Sequence, residues 1–346
     1  MLRSMENIPG LVRRFPFLVM VGVFLVLGRG SSAAEVGNLA AVSFDSHVVV
    51  LAANGHLSAF DILGKPVDAA ELKPLQLAGL MTISTGSGKL YGATATVLCE
   101  IDHWGGAWRK TATYAEHGDT VLRVAVVGKR PLLVYSSEVV DPVEPRAFAV
   151  PMSIGKQVHT QVLRLQAAYA TPSMLWLGTG HGEWGGHLMG LNPRTGEWVQ
   201  YYDALHYVTG ITSADPGEVI VSWSMSHLSL ASTLIRQHGA TAQPDREFPE
   251  LRDDYYQGIA YSSFDQTLYA VEQNWLVTVA DGKPSRVLEL TLRLYKAEPY
   301  AIGVAPGVIA LLPVAEHQVV VVAGSGVPVL VDTAGKKAVP FGKSVE

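Results

Sequence analysis

The sequence predicts an all-β fold, and more specifically a seven-bladed β-propeller of four-stranded antiparallel blades. Short apolar runs rich in Val, Leu, Ile, Tyr and Trp are separated by Gly, Asp, Asn and Pro turns, and no amphipathic helical pattern persists. These runs group by fours and recur at roughly 40 to 50 residues, the spacing typical of propeller blades. The 48% of hydrophobic residues against 16% of charged ones provide for a large core.

The predicted blades make residues 35–346 a single domain. The clearest unit contains the strand "LWLGTG", the connection "HGEWGG", the strand "HLMGLNP", the turn "RTGE" and the outer strand "WVQYY". In the first unit we predict "KPVDAAEL" as the fourth strand, and in the last unit "YAIGVAP", "VIALLPVA", "QVVVVAG" and "VPVLVDT". Radial packing buries both apolar faces of each sheet, which no sheet can bury alone. The blades start near residues 39, 80, 121, 168, 207, 256 and 300.

The N-terminal segment is typical of a secretory signal peptide over residues 1–34. Arg13 and Arg14 precede an apolar stretch from Phe15 to Gly28, and "SSAA" supplies small residues for cleavage after Ala34. The apolar stretch is shorter than the roughly 20 residues of a membrane span. We therefore expect an exported protein, periplasmic or extracellular, with no membrane span after cleavage. An uncleaved membrane anchor is the alternative. Arg13 and Arg14 also resemble a twin-arginine export signal, but that motif is incomplete here.

Charge and cysteine content exclude several classes of partner and chemistry. The net charge is -5 and no basic run forms a phosphate-binding stripe, so nucleic acid is not an expected partner. Cys99 is the single cysteine, so no intramolecular disulfide forms. Its apolar surroundings favour a packed thiol over a nucleophile.

Strand direction sorts the polar residues into two ends of the propeller. Loops between second and third strands and connections between blades lie at one end, here called the loop face. Tight turns after first and third strands lie at the opposite end, the turn face. Most of the 11 histidines are predicted on the loop face, and we expect a small molecule or a protein to bind there. The candidate ligand-binding residues are His181, Glu183, Trp184, His187, His206, His227 and Glu272. Further residues predicted on the loop face are Glu116, His117, Asp119, Glu138, Asp203, Asp253, Asp254, Gln273, Asn274, Glu316 and His317.

The segment "HGEWGGH" leaves three interpretations open. His181, Glu183 and His187 could hold a divalent metal ion, since imidazole and carboxylate suit one. The two histidines do not have the i, i+4 spacing on a helix that a zinc-protease motif requires. A loop at the rim of the propeller whose groups hydrogen-bond to one another is therefore favoured. An organic ligand stacked on Trp184 is the third. The similar "HWGGAW" at His103 is predicted as a turn-face turn with two packed tryptophans.

Residues 175–223 resemble a known kind of propeller repeat. The stretch "LWLGTG…GHLMGLNPRTGEWVQYY…VTGIT…ADPGEVIVSW" is similar to two-component-regulator-type repeats, and also resembles streptogramin-lyase-like and quinoprotein-like blades. It departs from them by inserting "HGEWGG" between the second and third strands. The resemblance implies a propeller, but propellers host binding scaffolds and enzymes alike.

The sequence therefore indicates two alternative functions of different classes. The first is an exported binding or interaction module with its ligand at the channel mouth on the loop face. The alternative is a metal-dependent lyase or hydrolase similar to the streptogramin-lyase-like propellers, which requires His and Glu side chains from different blades to converge. "SWSMSHLS" around His227 has no nucleophile elbow, so serine hydrolysis is not favoured.

Overall fold

A computed structural model describes most of the chain, and all of the described residues belong to the unit Glu35–Glu346. Nearly all of their regular structure is β-strand, so the predicted all-β class is confirmed. The described residues are 38–152, 154, 157–158, 161–180, 185–203, 207–225, 231–238, 245–246, 251–252, 256–272, 274–280, 283–290, 307–324 and 326–342. No helix within these ranges is long and apolar enough to cross a membrane.

Among the described residues, seven antiparallel sheets of three or more strands follow one another, and we number them 1 to 7. Sheet 1 has three strands, β1 (Asn38–Phe44), β2 (His47–Ala52) and β3 (Leu57–Asp61), and is followed by helix α1 (Ala69–Leu72) and a 3-10 helix (Lys73–Leu75). Sheet 2 contains β4 (Thr82–Gly86), β5 (Lys89–Ala93), β6 (Val97–Ile101) and β7 (Arg109–Thr113). Sheet 3 contains β8 (Arg123–Val127), β9 (Arg130–Val134), β10 (Glu138–Asp141) and β11 (Arg146–Ala149).

The second half of the chain forms sheets 4 to 7, after a short hairpin of β12 (Gln157–Val158) and β13 (Gln161–Val162). Sheet 4 contains β14 (Arg164–Ala170), β15 (Leu175–Gly180), β16 (Gly186–Leu191) and β17 (Trp198–Asp203). Sheet 5 contains β18 (Tyr207–Thr212), β19 (Glu218–Met225) and β20 (Ala231–His238), with β21 (Asp245–Arg246) and β22 (Leu251–Arg252) both paired to β20. Sheet 6 contains β23 (Tyr256–Ser262), β24 (Thr267–Glu272), β25 (Trp275–Ala280) and β26 (Lys283–Glu289). Sheet 7 contains β27 (Val308–Ala315), β28 (Gln318–Ala323), β29 (Val329–Asp332) and β30 (Lys337–Pro340).

The sheets form a closed ring, which is the arrangement of a β-propeller. An apolar cluster lies between every pair of neighbouring sheets, from sheets 1 and 2 through to sheets 7 and 1. At the point of closure, Val48 and Val50 of sheet 1 pack with Val320 and Val322 of sheet 7. The first strand of each sheet is innermost and contacts the first strands of its neighbours. Radial packing therefore buries both faces of the sheets, as the repeats predict.

The predicted all-β propeller of four-stranded blades is confirmed, but the predicted number of seven blades is wrong. The described residues form six complete blades, sheets 2 to 7, while sheet 1 has three strands. Within "KPVDAAEL", Pro66 makes only an isolated bridge to Phe60, since proline has no N–H for a ladder. Asp68 then accepts a hydrogen bond from the backbone N–H of Ala70 at 2.8 Å and caps helix α1. The expected fourth strand is therefore a short helix.

The C-terminal segment packs against sheet 1. The ring of Phe341, 3% exposed, lies 4.9 Å from that of Phe60. The backbone N–H of Gly342 donates to the carbonyl of Gly64 at 2.9 Å. A Cβ on Gly64 would lie 2.5 Å from the Phe341 ring, and the φ of +86° at Gly64 also favours glycine. Residues after β30 thus fasten sheet 7 to sheet 1.

The last unit differs from the prediction by one strand. "VIALLPVA" forms β27, the first strand of sheet 7, and β30 supplies the fourth strand from Lys337–Pro340. The expected first strand "YAIGVAP" lies outside the described residues. Glu316 and His317 therefore form the turn between the first two strands, where His317 has a φ of +57°. This places them on the turn face, so their predicted position on the loop face is wrong.

Candidate functional site

His187 lies at the loop-face end of β16 and is buried, with 4% of its surface exposed. The Nε2 amide of Gln200 on the neighbouring strand β17 donates to its Nδ1 at 2.9 Å. Its backbone N–H donates to the hydroxyl of Thr179 at 3.2 Å. His187 is therefore anchored in the sheet, with its Nδ1 engaged by Gln200.

Close packing explains why glycines occur around "HGEWGG". A Cβ on Gly180 would lie 2.7 Å from the Cβ of Tyr207, and one on Gly186 would overlap the backbone carbonyl of Thr179. Tyr207 itself is 8% exposed, so it packs between the sheets rather than reaching the channel mouth. Close packing of sheet 4 on sheet 5 therefore requires these glycines.

Glu272 ends β24 at the loop face and is 2% exposed. Its carboxylate receives two hydrogen bonds from Arg286 on β26, 2.5 Å from Nη2 and 3.3 Å from Nε. The guanidinium also lies 5.5 Å from the ring centroid of Trp275. The pair holds strands of sheet 6 together, and Arg286, with 53% of its side chain exposed, presents its charge to solvent.

The remaining candidate ligand residues, His181, Glu183, Trp184, His206 and His227, lie outside the described residues. Their convergence, and the divalent metal site of His181, Glu183 and His187, therefore stay predictions. Within the parts of the chain that the structure describes, no group of three or more His, Cys, Asp or Glu residues is arranged to hold a metal ion.

A polar cluster does form at the loop face of sheet 3. Nε2 of His117 lies 2.5 Å from the carboxylate of Glu138, and its ring stacks on Tyr135 at 4.2 Å between centroids. Asp119 accepts hydrogen bonds from both the hydroxyl and the backbone N–H of Ser136. Two side-chain pairs, drawn from the connection before β8 and from the β9–β10 loop, thus lie side by side.

The electrostatics of this loop-face cluster favour an ionised Asp119. The Ser136 hydroxyl and the backbone N–H groups of Thr120 and Ser136 lower the pKa of Asp119, with His117 adding to the effect. Burial raises the pKa of Tyr135, and the nearby carboxylates raise it further. Nδ1 of His117 is buried without a hydrogen-bond partner in the structure. The cluster therefore places an ionised carboxylate near an imidazole ring.

Sequence reasoning placed His117, Asp119 and Glu138 on this face but did not predict how they pair. It missed Ser136 and Tyr135, which fix the positions of Asp119 and His117. The only local signal is that "YSS" precedes Glu138 in a second-to-third-strand loop. Nothing in that stretch indicates a bond to a residue on the preceding connection.

The segment "HWGGAW" is the turn between β6 and β7, as predicted. The Trp104 ring stacks on His47 of sheet 1 at 3.7 Å. Nε1 of Trp108 donates to the carbonyl of Leu75 at 2.7 Å. Both tryptophans therefore join sheets 1 and 2 at the turn face, and their role is packing.

Cys99 is also a packing residue in the structure. It is a free thiol, 5% exposed, on β6. Burial raises the pKa of the thiol, which keeps it protonated and unreactive.

No known protein family matches the sequence, and no curated protein is similar to it at a significant level. Many solved structures do share the fold. A computationally designed protein matches 88% of this chain with 86% of its own, at 11% identity and a TM-score of 0.53. The RRP9 WD40 repeats match 86% of this chain and 89% of theirs, at 12% identity and a TM-score of 0.52.

The extracellular domain of a putative hybrid two component system from B. thetaiotaomicron is also similar. The match covers 86% of this chain but 38% of that one, at 11% identity and a TM-score of 0.53. At such identities these similarities establish the β-propeller class of the fold and nothing narrower.

Proposed function

We propose that this protein is an exported interaction module that binds its partner through the loop face. The observation that carries the proposal is the cluster of His117, Asp119, Ser136 and Glu138 on sheet 3. A rigid ring of sheets holds side chains from separate connections in fixed positions, which is how propellers present binding surfaces. The partner is a protein or a small molecule.

The chemistry of the loop-face cluster favours a partner with cationic or hydrogen-bond-donating groups. Asp119 is held ionised, Glu138 lies beside it, and Glu116 is exposed on the same connection. Carboxylates bind such groups through charge-assisted hydrogen bonds. The other expected residues of the site, His181, Glu183, Trp184, His206 and His227, would extend this surface across sheets 4 and 5.

The structural neighbours support an interaction module at the level of fold. One is described as an extracellular domain of a putative two component system and another as WD40 repeats. The N-terminal sequence supports export, because charged, apolar and small-residue regions follow in the order of a signal peptide. We therefore expect a mature chain that begins at Glu35, outside the cytoplasm.

A site-specific photo-crosslinker distinguishes the two ends of the propeller. Placed at Glu116 on the loop face, it should form discrete adducts with a protein partner in intact cells. Placed at Leu63, a turn-face residue that is 65% exposed, it should not. If the partner is a small molecule, native mass spectrometry of gently purified protein should detect it, and the variant His117→Gln should lose it. Adducts at Leu63 alone, or neither adduct nor bound molecule, would contradict the proposal.

Intact-mass measurement of protein from cell fractions tests export separately. A mass corresponding to Glu35–Glu346 in the exported fraction is expected. Retention of residues 1–34 would instead support the uncleaved anchor.

The metal-dependent lyase or hydrolase stays a prediction that depends on His181 and Glu183. Metal analysis of the purified full chain, together with thermal melts on adding Zn²⁺ or Mn²⁺, tests it. Absence of both a bound ion and a thermal shift would eliminate that alternative while leaving the interaction module intact.

A further inference from the structure

A cavity lies along the innermost strands of the ring. Its volume is about 470 Å³, and it is lined by parts of β1, β4, β8 and β14 and by Ile309 of β27. Small-molecule sites typically have volumes of about 300 to 1,000 Å³. The space is therefore large enough for a small organic ligand or an inorganic anion.

Arg123 is the one charged residue that lines this cavity in the described part of the chain. It is the first residue of β8 and is partly buried. Its Nη1 donates to the carbonyl of the preceding residue, Leu122, at 2.9 Å. Among the described residues, no Asp or Glu lines the cavity, and no carboxylate forms an ion pair with this guanidinium.

Some of the other described arginines have carboxylate partners. Arg130 contacts Asp141 and Glu144, and Arg286 contacts Glu272. For Arg123, by contrast, burial alone acts on the guanidinium and lowers its pKa, with no charged group opposing it. A cation removed from water without a counter-charge is unfavourable, so an anion that enters the cavity would be stabilised there.

We propose that this cavity binds a small anion that carries a carboxylate or phosphate group, and that Arg123 is the residue that recognises it. The planar guanidinium matches both groups through two parallel hydrogen bonds. Ser84 and Thr85 of β4 line the same cavity and bring hydroxyl groups suited to further oxygens of the ligand. The proposal does not depend on the proposed function.

Titration calorimetry and thermal melts of the full chain, with succinate and with inorganic phosphate at constant ionic strength, test the proposal. At least one anion should bind saturably with a Kd below about 1 mM and raise the melting temperature. Arg123→Gln should abolish this binding. Arg123→Lys keeps the charge but loses the planar fork, so it should weaken binding roughly tenfold.

Arg146→Gln is the matched control, because Arg146 lies on the outer strand β11 over the ring of Phe148. It should bind the anion as the unchanged protein does. Binding of succinate alone identifies a carboxylate site, and binding of phosphate alone identifies a phosphate site. Absence of saturable binding of both anions to the unchanged protein overturns the proposal. So does unchanged affinity in either folded Arg123 variant, as checked by circular dichroism.

Discussion

Sheets 4 and 1 both bury apolar surface against a neighbouring sheet, but they do so with different segments. Sheet 4 is a complete blade, and Gly178 in its second strand lets it approach Val208 of sheet 5 closely. Sheet 1 has no fourth strand and is fastened by Phe341 from beyond sheet 7. In both cases a glycine faces a large side chain on the neighbouring element, Val208 in one interface and Phe341 in the other.

The difference shows which strands the ring requires. The apolar cluster between sheets 7 and 1 is built mainly from the first three strands of each sheet and from Phe341. Outer strands such as β7 are largely exposed and contribute less to these clusters. A propeller position can therefore be filled by three strands, provided that another segment covers the apolar surface that remains.

Removing the C-terminal side chain tests that explanation most strongly. Phe341→Ala should lower the free energy of unfolding by about 3 to 5 kcal/mol, because it leaves a cavity between sheets 7 and 1. Denaturant unfolding of the full chain measures it. Phe264→Ala is the control, since that ring is 56% exposed, and it should change stability by less than about 0.5 kcal/mol. Similar losses in both variants would show that Phe341 does not fasten the ring.

Overpacking the complete blade tests the other interface. In Gly178→Ala the new Cβ would overlap Val208, and the sheets would have to move apart. We expect a loss of about 1 to 3 kcal/mol in denaturant unfolding. Gly118→Ala, where a Cβ meets nothing within 4 Å, is the matched control. A Gly178→Ala protein as stable as the control would mean that sheets 4 and 5 pack less closely than the structure shows.

The hydrogen-bonded pair of Asp119 and Ser136 in sheet 3 should contribute least to the free energy of unfolding. Because the Ser136 hydroxyl lowers the pKa of Asp119 in the folded protein, ionised Asp119 contributes stability above its unfolded pKa of about 3.9. That contribution is lost as the pH falls through the lower folded pKa. Ser136→Ala should raise the Asp119 pKa towards about 3.9 and cost about 1 kcal/mol or less near neutral pH, since solvent screens the pair.

Carboxyl NMR titration of Asp119, with unfolding measured near neutral pH and below about pH 4, follows this effect. The stability difference between Ser136→Ala and the unchanged protein should shrink in acid. Ser173→Ala, at an exposed turn, should show no such pH dependence. An unchanged Asp119 pKa in Ser136→Ala would assign its ionisation to the backbone N–H groups instead.

Much of the fold was predictable because propeller strands are local features. Alternating apolar runs and turn residues placed most strands of sheets 2 to 6, and strand direction alone put His117, Asp119 and Glu138 on one face. The assignment of "HWGGAW" to the turn face was correct for the same reason. The prediction of a fourth strand in sheet 1 was wrong. Pro66 disfavours a strand, and "DAAEL" after it favours the start of a helix.

The amino-acid sequence alone established the all-β class, the repeated sheets, and the end of the propeller at which His117, Asp119, Glu138 and "HWGGAW" lie. It could do so because hydrophobic period and turn chemistry act over a few residues. Three features became visible only in the folded structure: the ring closure by Phe341, the pairing of Asp119 with Ser136, and a cavity in which no carboxylate of the described residues pairs with Arg123. These depend on contacts between segments far apart in the chain, and local sequence patterns do not record which distant side chains will meet.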